Sequence, residues 1–197
     1  MNTKKTILLD VDEVICFSGY LEAVNEFLDT HYIIDDFTDY YIDVTAVPKD
    51  RFEAFHHFLG TRNLYQNAVI LPDAVETIKK LNEVYEIYIC SACVNPFNIQ
   101  NSGKEFLNKY NFLIDFLPFL DPNHFIFTSA KHLFKADIQI DDRLPNLDND
   151  VKLKILFPSY HNKAISDEEL KGKGVLRAGK DYKTGWKEIE KILLESH

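Results

Sequence analysis

The sequence is poor in the features that mark exported, membrane and disulfide-rich proteins. It has three cysteines, Cys16, Cys90 and Cys93, and this small, odd number argues for reduced thiols rather than a disulfide framework. The basic start at Lys4 and Lys5 leads into an apolar run of three residues, whereas an export signal needs roughly 7 to 15. No apolar run approaches the roughly 20 residues that cross a bilayer. We therefore expect a cytoplasmic protein that does not interact with membranes.

Basic residues are in deficit as well. The chain has 22 Lys and Arg against 31 Asp and Glu, so its formal net charge is −9 with neutral histidines. A surface of this sign repels polyanions, and we expect no nucleic-acid polymer as a partner. Glycine and proline are also few, at 7 each, while 46% of the residues are hydrophobic. This composition excludes the disordered and collagen-like classes and predicts one globular domain with room for an insertion.

Short apolar runs recur along the chain, and several of them are separated by segments with helical spacing. The runs cover residues 6–9, 86–90, 125–127, 137–140 and 153–157. They are continuous rather than alternating, which is typical of strands that helices cover on both faces. A last helix over residues 183–194 would cover the same sheet. The sequence thus predicts an α/β fold around a parallel central sheet.

Residues 17–71 follow a different pattern. Apolar positions recur at helical spacing between residues 21 and 28 and again between residues 52 and 59, and no run there resembles a central strand. We interpret this stretch as an inserted helical cap, with residues 1–16 and 72–197 forming the α/β core. Four aromatic residues of the cap are as consistent with packing inside it as with stacking on a nucleobase: Phe17, Phe37, Tyr40 and Tyr41.

Two pairs of acidic residues follow predicted strands. Asp10 and Asp12 come after the first strand, and Asp141 and Asp142 follow the strand of residues 137–140. The carboxyl ends of parallel strands meet at one edge of a sheet, where α/β proteins bind their ligands. Carboxylates gathered there need a cation, and hard oxygen ligands suit Mg²⁺. A single Asp-x-Asp after a strand is more often a turn than a site, so the two pairs gain meaning only together.

Two further polar residues occur near predicted strands. Ser91 follows the strand of residues 86–90, and Lys131 lies just before the strand that leads to Asp141. Taken singly, Ser91 is more simply a turn residue and Lys131 a solvated lysine. Taken together and in this order, the residues resemble the four motifs of the haloacid dehalogenase (HAD) superfamily of aspartyl-phosphate phosphatases: Asp10-Val11-Asp12-Glu13-Val14, Ser91, Lys131 and Asp141-Asp142.

The resemblance becomes narrower in longer stretches. Residues 71–75, 89–91 and 136–143 are similar to the 5'(3')-deoxyribonucleotidases within this superfamily. This resemblance implies a HAD-like Rossmannoid fold of three layers with a small helical cap inserted after the first strand. It also implies a Mg²⁺-dependent phosphomonoester hydrolase whose partner is a small molecule, a (deoxy)nucleoside monophosphate. It is compatible with a homodimer but does not require one.

The same resemblance gives each residue a role. Asp10 is the expected nucleophile, and Asp12, two residues on, is the expected general acid and base. Both join Asp141 and Asp142 as expected metal ligands, Asp12 through its backbone carbonyl, and spacing does not rank Asp141 against Asp142. Four residues are expected to contact the phosphate: Ser91, Ala92, Lys104 and Lys131.

The sequence departs from the family pattern at two positions. Glu13 stands where the family often has Gly and adds negative charge near the metal site, and Ala92 stands where some members have a hydroxyl donor. Neither change removes a catalytic group, so both bear on substrate preference rather than on reaction type. Two other functions stay open: a HAD phosphatase for a sugar phosphate or other small metabolite, and a non-catalytic module that binds phosphate.

Overall fold

The computed structural model describes residues 4–195, and its centre is a parallel β-sheet. Eight strands lie within these residues: β1 (Thr6–Leu9), β2 (Cys16–Phe17), β3 (Val69–Ile70), β4 (Glu86–Ser91), β5 (Phe125–Phe127), β6 (Ile138–Asp141), β7 (Leu153–Leu156) and β8 (Val175–Arg177). Six of them form the sheet in the order β5-β4-β1-β6-β7-β8, and every neighbouring pair is parallel. The other two, β2 and β3, form a separate antiparallel pair.

Helices connect the strands. In the same part of the chain they are α1 (Tyr20–Leu28), α2 (Ile42–Ala46), α3 (Phe52–Leu59), α4 (Ala74–Val84), α5 (Ser102–Phe116), α6 (Asp167–Gly172) and α7 (Gly185–Glu190). A π-helical turn over Lys191–Glu195 follows α7 directly. No helix between residues 4 and 195 is both long and apolar enough to cross a membrane.

The main hydrophobic core joins the sheet to α4, α5 and α7. Three consecutive residues of β1, Ile7, Leu8 and Leu9, are all buried. Neighbouring residues of a strand point to opposite faces, so both faces of the sheet are covered. Trp186 of α7 is fully buried, and its indole N–H donates a hydrogen bond to the backbone carbonyl of Val14 at 2.7 Å. This bond ties the last helix to the loop that follows β1.

The segment of residues 17–71, which we call the cap, has a hydrophobic cluster of its own. Val24 of α1 and Phe55 and Leu59 of α3 are buried in it. Tyr160, from the loop after β7, packs into the same cluster and so connects it to the rest of the molecule. The antiparallel pair of β2 and β3 brings together the two points at which the cap leaves and rejoins the chain.

The predicted α/β fold with a parallel sheet is confirmed, and each of the five predicted strands is present to within one residue at either end. The edge strand β8 was not predicted. It has three residues, and Leu176 at its centre is 48% exposed, so it lacks the continuous apolar signal of a central strand. The predicted last helix is also divided, into α7 and the π-helical turn.

Candidate active site

The polar residues at the carboxyl edge of the sheet converge because of the strand order. β1 lies between β4 and β6, and all three strands are parallel. Asp10 follows β1 directly, Ser91 is the last residue of β4, and Asp141 is the last residue of β6. Asp142 follows at the start of the next loop, and all four residues are buried. Parallel strands end at the same edge, so these side chains share one small region.

Lys131 lies between two of these carboxylates. Its Nζ atom is 2.8 Å from Asp10 Oδ2 and 2.6 Å from Asp141 Oδ2. Burial acts to lower the pKa of Lys131, but the two carboxylates outweigh it and raise the pKa above its ordinary value. Burial acts to raise the pKa of Asp10, but Lys131 and Lys109 outweigh it and lower the pKa. Asp10 is therefore ionised, which is the form that attacks an electrophile.

Three carboxylates lie close enough to share a divalent cation. Asp10, Asp141 and Asp142 each offer one oxygen, and these three atoms lie within 4.8 Å of one another. Burial raises the pKa of Asp141, and it raises the pKa of Asp142 well above its usual range. Oδ1 of Asp10 is fully buried and has no hydrogen-bond partner within residues 4–195. This donor set of oxygens alone, with one buried oxygen unpartnered, fits Mg²⁺.

Asp12 lies at the same edge of the sheet, and two side chains hold it by hydrogen bonds. The Tyr65 hydroxyl donates a hydrogen bond to Asp12 Oδ1 at 2.6 Å, and Lys109 Nζ donates to Asp12 Oδ2 at 2.6 Å. Lys109 also donates to Ser91 Oγ at 2.9 Å and to the backbone carbonyl of Ala92. The Asp12 side chain is 36% exposed, so it can exchange a proton with a ligand or with water.

Lys109 is the lysine that α5 contributes to this site, and not Lys104, which the family resemblance predicts. Lys104 is exposed and makes no hydrogen bond or ion pair with any described residue. Five residues on a helix are about 140° apart around its axis, so the two lysines lie on different faces. Lys109 is buried on the same face as Phe112 and Leu113. A lysine within an apolar helical stripe was the signal that could have identified it.

Glu13 and His161 form a second charged cluster beside Asp142. His161 Nε2 lies 2.7 Å from Asp142 Oδ2 and 3.1 Å from Glu13 Oε2. Burial acts to lower the pKa of His161, but its hydrogen bonds to the two carboxylates raise it to about 9. The ring is therefore an imidazolium at neutral pH and offsets the charge that Glu13 adds. No pattern in the loop of His161 predicts that this residue lies at the site.

The backbone at Glu13 has a conformation that favours glycine. Its φ is 62°, in the left-handed region that glycine adopts with the least strain. The side chain is held by several donors: besides His161, the Ser159 hydroxyl donates to Glu13 Oε2 at 2.6 Å and the Tyr160 hydroxyl donates to Oε1 at 3.2 Å. These bonds come from the loop after β7 and compensate for the unfavourable backbone conformation.

A cavity of about 660 Å³ lies between the carboxyl edge of the sheet and the cap. Asp12, Ala92 and Lys109 line it on the core side. Tyr65, which holds Asp12, lines it as well. The cavity therefore begins at the groups that surround Asp12 and extends away from them under the cap.

The cap aromatics named from the sequence divide into two groups. Phe17, Tyr40 and Tyr41 line the cavity, and the Arg143 guanidinium lies 4.0 Å from the ring centroid of Tyr40. Phe37 is buried in the hydrophobic cluster of the cap and does not line the cavity. Of the two uses that the sequence left open for Phe37, packing inside the cap is the one found in the structure.

Comparisons with known proteins agree with this fold. A profile of the family described as "5' nucleotidase, deoxy (Pyrimidine), cytosolic type C protein" matches residues 4–193. A provisionally named 5'(3')-deoxyribonucleotidase of Staphylococcus aureus (strain Mu50) is 29% identical over 196 residues, which are 98% of each chain. The 5'(3')-deoxyribonucleotidase of Bacillus subtilis (strain 168) is 25% identical over 162 residues, which are 81% of this chain and 88% of that protein.

Solved structures share the fold at lower sequence identity. A provisionally named haloacid dehalogenase-like hydrolase from Bacteroides fragilis has a TM-score of 0.53 at 13% identity and covers 89% of this chain and 96% of its own. The HAD hydrolase YfnB from Bacillus subtilis, also named provisionally and solved bound to magnesium, has a TM-score of 0.52 at 14% identity. Its match covers 98% of this chain and 100% of that chain.

The parallel sheet, its acidic carboxyl edge and these relatives together define a phosphoric monoester hydrolase of the haloacid dehalogenase superfamily. The resemblance inferred from the strand-end motifs is thereby confirmed. Within the superfamily, the chain belongs to the deoxy (pyrimidine) 5' nucleotidase family of cytosolic type C.

Proposed function

We propose that this chain is a Mg²⁺-dependent 5'(3')-deoxyribonucleotidase that releases phosphate from (deoxy)nucleoside monophosphates through an aspartyl-phosphate on Asp10. The observation that carries the proposal is the group formed by Asp10, Lys131 and the Asp141–Asp142 pair beside a large cavity. Small ligands occupy cavities of roughly 300 to 1,000 Å³, and this one has about 660 Å³. The names of the Staphylococcus aureus and Bacillus subtilis relatives support the same substrate class.

The carboxylates of Asp10, Asp141 and Asp142, with the backbone carbonyl of Asp12, would hold the Mg²⁺. When bound, the ion neutralises the repulsion between these carboxylates and the phosphate and stabilises the charge of the transition state. His161 fixes Asp142 through its 2.7 Å contact. Lys131 fixes Asp141 in the same way at 2.6 Å.

Asp10 supplies the nucleophile. One of its oxygens attacks phosphorus, the bond between phosphorus and the leaving oxygen breaks, and an acyl phosphate forms. Lys131 donates to the phosphate oxygens and offsets the negative charge next to Asp10. Ser91 and Lys109, which are 2.9 Å apart, bind the remaining phosphate oxygens. Attack by water on the acyl phosphate then releases phosphate and restores the Asp10 carboxylate.

Asp12 transfers the proton in both steps. It protonates the leaving alkoxide in the first step and removes a proton from the attacking water in the second. Tyr65 and Lys109 fix its orientation, each at 2.6 Å. Its partial exposure lets it reach a leaving group in the cavity.

Phosphate release from a panel of monoesters tests the proposal. With Mg²⁺ present, kcat/KM should be highest for nucleoside monophosphates such as dUMP and dTMP, and chelation should abolish turnover. Asp10→Asn should lose activity by at least ~10³-fold while keeping its circular dichroism spectrum. Asp39→Asn changes an exposed acidic residue of the cap and should match the wild type. A sugar phosphate as the best substrate, or near-normal turnover by Asp10→Asn, would contradict the proposal.

A further inference from the structure

The cavity holds a buried acidic residue that the phosphate chemistry does not use. Asp43 of α2 lines the cavity together with His56 of α3, and their side chains are 4% and 5% exposed. His56 Nε2 lies 3.1 Å from Asp43 Oδ2. Tyr20 of α1 also interacts with this carboxyl group, and burial and Asp43 together raise the pKa of the tyrosine. Three cap helices thus meet at one acidic side chain.

His56 does not neutralise Asp43. The amide nitrogen of Asn95 lies 3.4 Å from His56 Nδ1, and an amide nitrogen only donates, so Nδ1 is the acceptor and the ring proton is on Nε2. Burial lowers the pKa of His56 although Asp43 opposes the shift. The ring is therefore a neutral donor. No lysine or arginine in the described part of the chain forms an ion pair with Asp43.

The His56 ring packs against aromatic residues of both the cap and the loop after β4. The ring centroids of Phe52, in the cap, and Phe97, in the loop after β4, each lie 4.5 Å from that of His56. Asn95 belongs to the same loop, and its side-chain oxygen accepts a hydrogen bond from the Phe97 backbone N–H at 2.9 Å. His56 and Tyr20 are neutral partners, so they leave the charge of the buried Asp43 carboxylate uncompensated, and a further donor would stabilise it. The position of Asp43 in a substrate-sized cavity indicates that this donor belongs to the substrate.

We propose that Asp43 accepts a hydrogen bond from an N–H group of the substrate's nucleobase, and that His56 positions it. This inference rests on the proposed function, since it assumes a nucleoside monophosphate whose phosphate lies at Asp10 and whose base extends into the cavity. Five acidic side chains line the cavity: Asp12, Glu13, Glu22, Asp43 and Glu105. Among the described residues that line it, Lys109 is the one lysine or arginine. A second phosphate would be repelled there, so the substrate class is monophosphates with a neutral base that bears an N–H group.

Asp43→Asn tests the inference with two probes, dTMP and p-nitrophenyl phosphate, the second of which has no base. The side-chain oxygen of the asparagine keeps the bond from His56, and its amide then points a donor at the donor of the base. We expect kcat/KM for dTMP to fall about 10- to 100-fold, chiefly through KM. Hydrolysis of the aryl phosphate should change far less, which also shows that the variant is folded. The exposed cap variant Asp39→Asn is the matched control.

Methylation of the base provides an independent check. The wild type should discriminate against N3-methyl-dTMP, whereas Asp43→Asn should treat it like dTMP. His56→Ala should raise KM for dTMP. The double variant Asp43→Asn/His56→Ala should lose little more kcat/KM than Asp43→Asn alone, because the two residues act through one bond. A loss in both single variants that is equal for dTMP and the aryl phosphate would give the pair a purely structural role and overturn the inference.

Two outcomes separate this inference from the proposed function. If the wild type hydrolyses the aryl phosphate but no nucleoside monophosphate, the proposed substrate is wrong and the inference falls with it. If dTMP hydrolysis is efficient but indifferent both to Asp43→Asn and to N3 methylation, the nucleotidase proposal stands and the inference alone is overturned.

Discussion

Aspartates lie at both the amino end and the carboxyl end of the neighbouring strands β1 and β6, and the two ends differ in the hydrogen bonds and the burial of these aspartates. At the amino end, Asp137 accepts hydrogen bonds from Lys152 Nζ at 2.9 Å and from the Thr6 backbone N–H at 3.0 Å. These bonds, led by that of Lys152, lower the pKa of Asp137 to about 2. At the carboxyl end, Asp10 has a buried oxygen that no described residue contacts by a hydrogen bond. There, burial raises the pKa of Asp142 well above its usual range.

The two edges therefore differ in the surroundings of their aspartates and not in the residue type. A carboxylate with satisfied acceptors stabilises the fold, whereas crowded and buried carboxylates destabilise it unless a cation satisfies them. Changes at the carboxyl edge should therefore alter stability and activity together, sometimes in opposite directions. Changes at the amino edge should alter stability alone.

Lys131→Met should have the largest effect, because it leaves Asp10 and Asp141 without their shared cation. Removing one partner of a buried ion pair costs about 3–5 kcal/mol, and this lysine side chain is 4% exposed. Activity should fall by ~10²-fold or more in the same variant. Urea unfolding and steady-state kinetics measure the two effects, with the exposed Lys135→Met as the control. If Lys131→Met kept the stability and activity of the wild type, the carboxylates of Asp10 and Asp141 would not depend on the charge of Lys131.

Mg²⁺ should stabilise the wild type by a smaller amount. An ion that binds the folded state alone, at 100 times its Kd, adds about 2.7 kcal/mol to the free energy of unfolding. Thermal unfolding with and without Mg²⁺ measures this gain as a rise in Tm. Asp142→Asn should abolish the rise, while Asp137→Asn, at the other edge, should retain it. If Mg²⁺ raised the Tm of Asp142→Asn as much as that of the wild type, Asp142 would not be a ligand of the ion.

Without Mg²⁺, Asp142→Asn should be more stable than the wild type. The amide removes a buried charge that burial disfavours, as the raised pKa indicates. The lost charge contact with His161, at 2.7 Å, opposes this gain and keeps it small. Denaturant unfolding in the presence of a chelator measures the difference. A net loss of stability would show that the contact with His161 outweighs the burial.

Asp137→Asn should have the smallest effect, a fall of a few degrees in Tm near neutral pH with kcat/KM unchanged. The folded-state pKa is lowered from 3.8 to about 2, so the stabilisation is present above 3.8 and is lost as the pH falls through about 2. The difference in Tm between wild type and variant should therefore shrink when the pH is lowered from about 6 to about 3. Reduced activity at neutral pH would show that the two edges are not independent.

The strand-end part of the site was predictable because strand position determines it. Asp10, Ser91 and Asp141 each stand at the end of an apolar run, and a parallel sheet brings such ends to one edge. Lys131 could be included because it completes the ordered series. The sheet itself was predictable for the same reason: continuous apolar runs favour buried central strands, and the short, half-exposed β8 has no such run.

The other site residues were not predicted, because their contacts depend on tertiary packing. Lys109 lies in the middle of α5, Tyr65 lies in the segment between α3 and β3, and His161 lies in the loop after β7. Only the packing of these elements brings the three side chains to the carboxyl edge. The use of Phe37 could not be decided for a related reason, since an aromatic residue in the cap fits both a substrate wall and a hydrophobic cluster.

Acid quenching during turnover, followed by mass spectrometry of the peptides, tests the central claim most directly. With Mg²⁺ and dTMP, a phosphoryl group should be found on the peptide that contains Asp10 and should be absent from the Asp10→Asn variant. Steady release of phosphate without any acyl phosphate at Asp10, or with the phosphoryl group on another residue, would contradict the account.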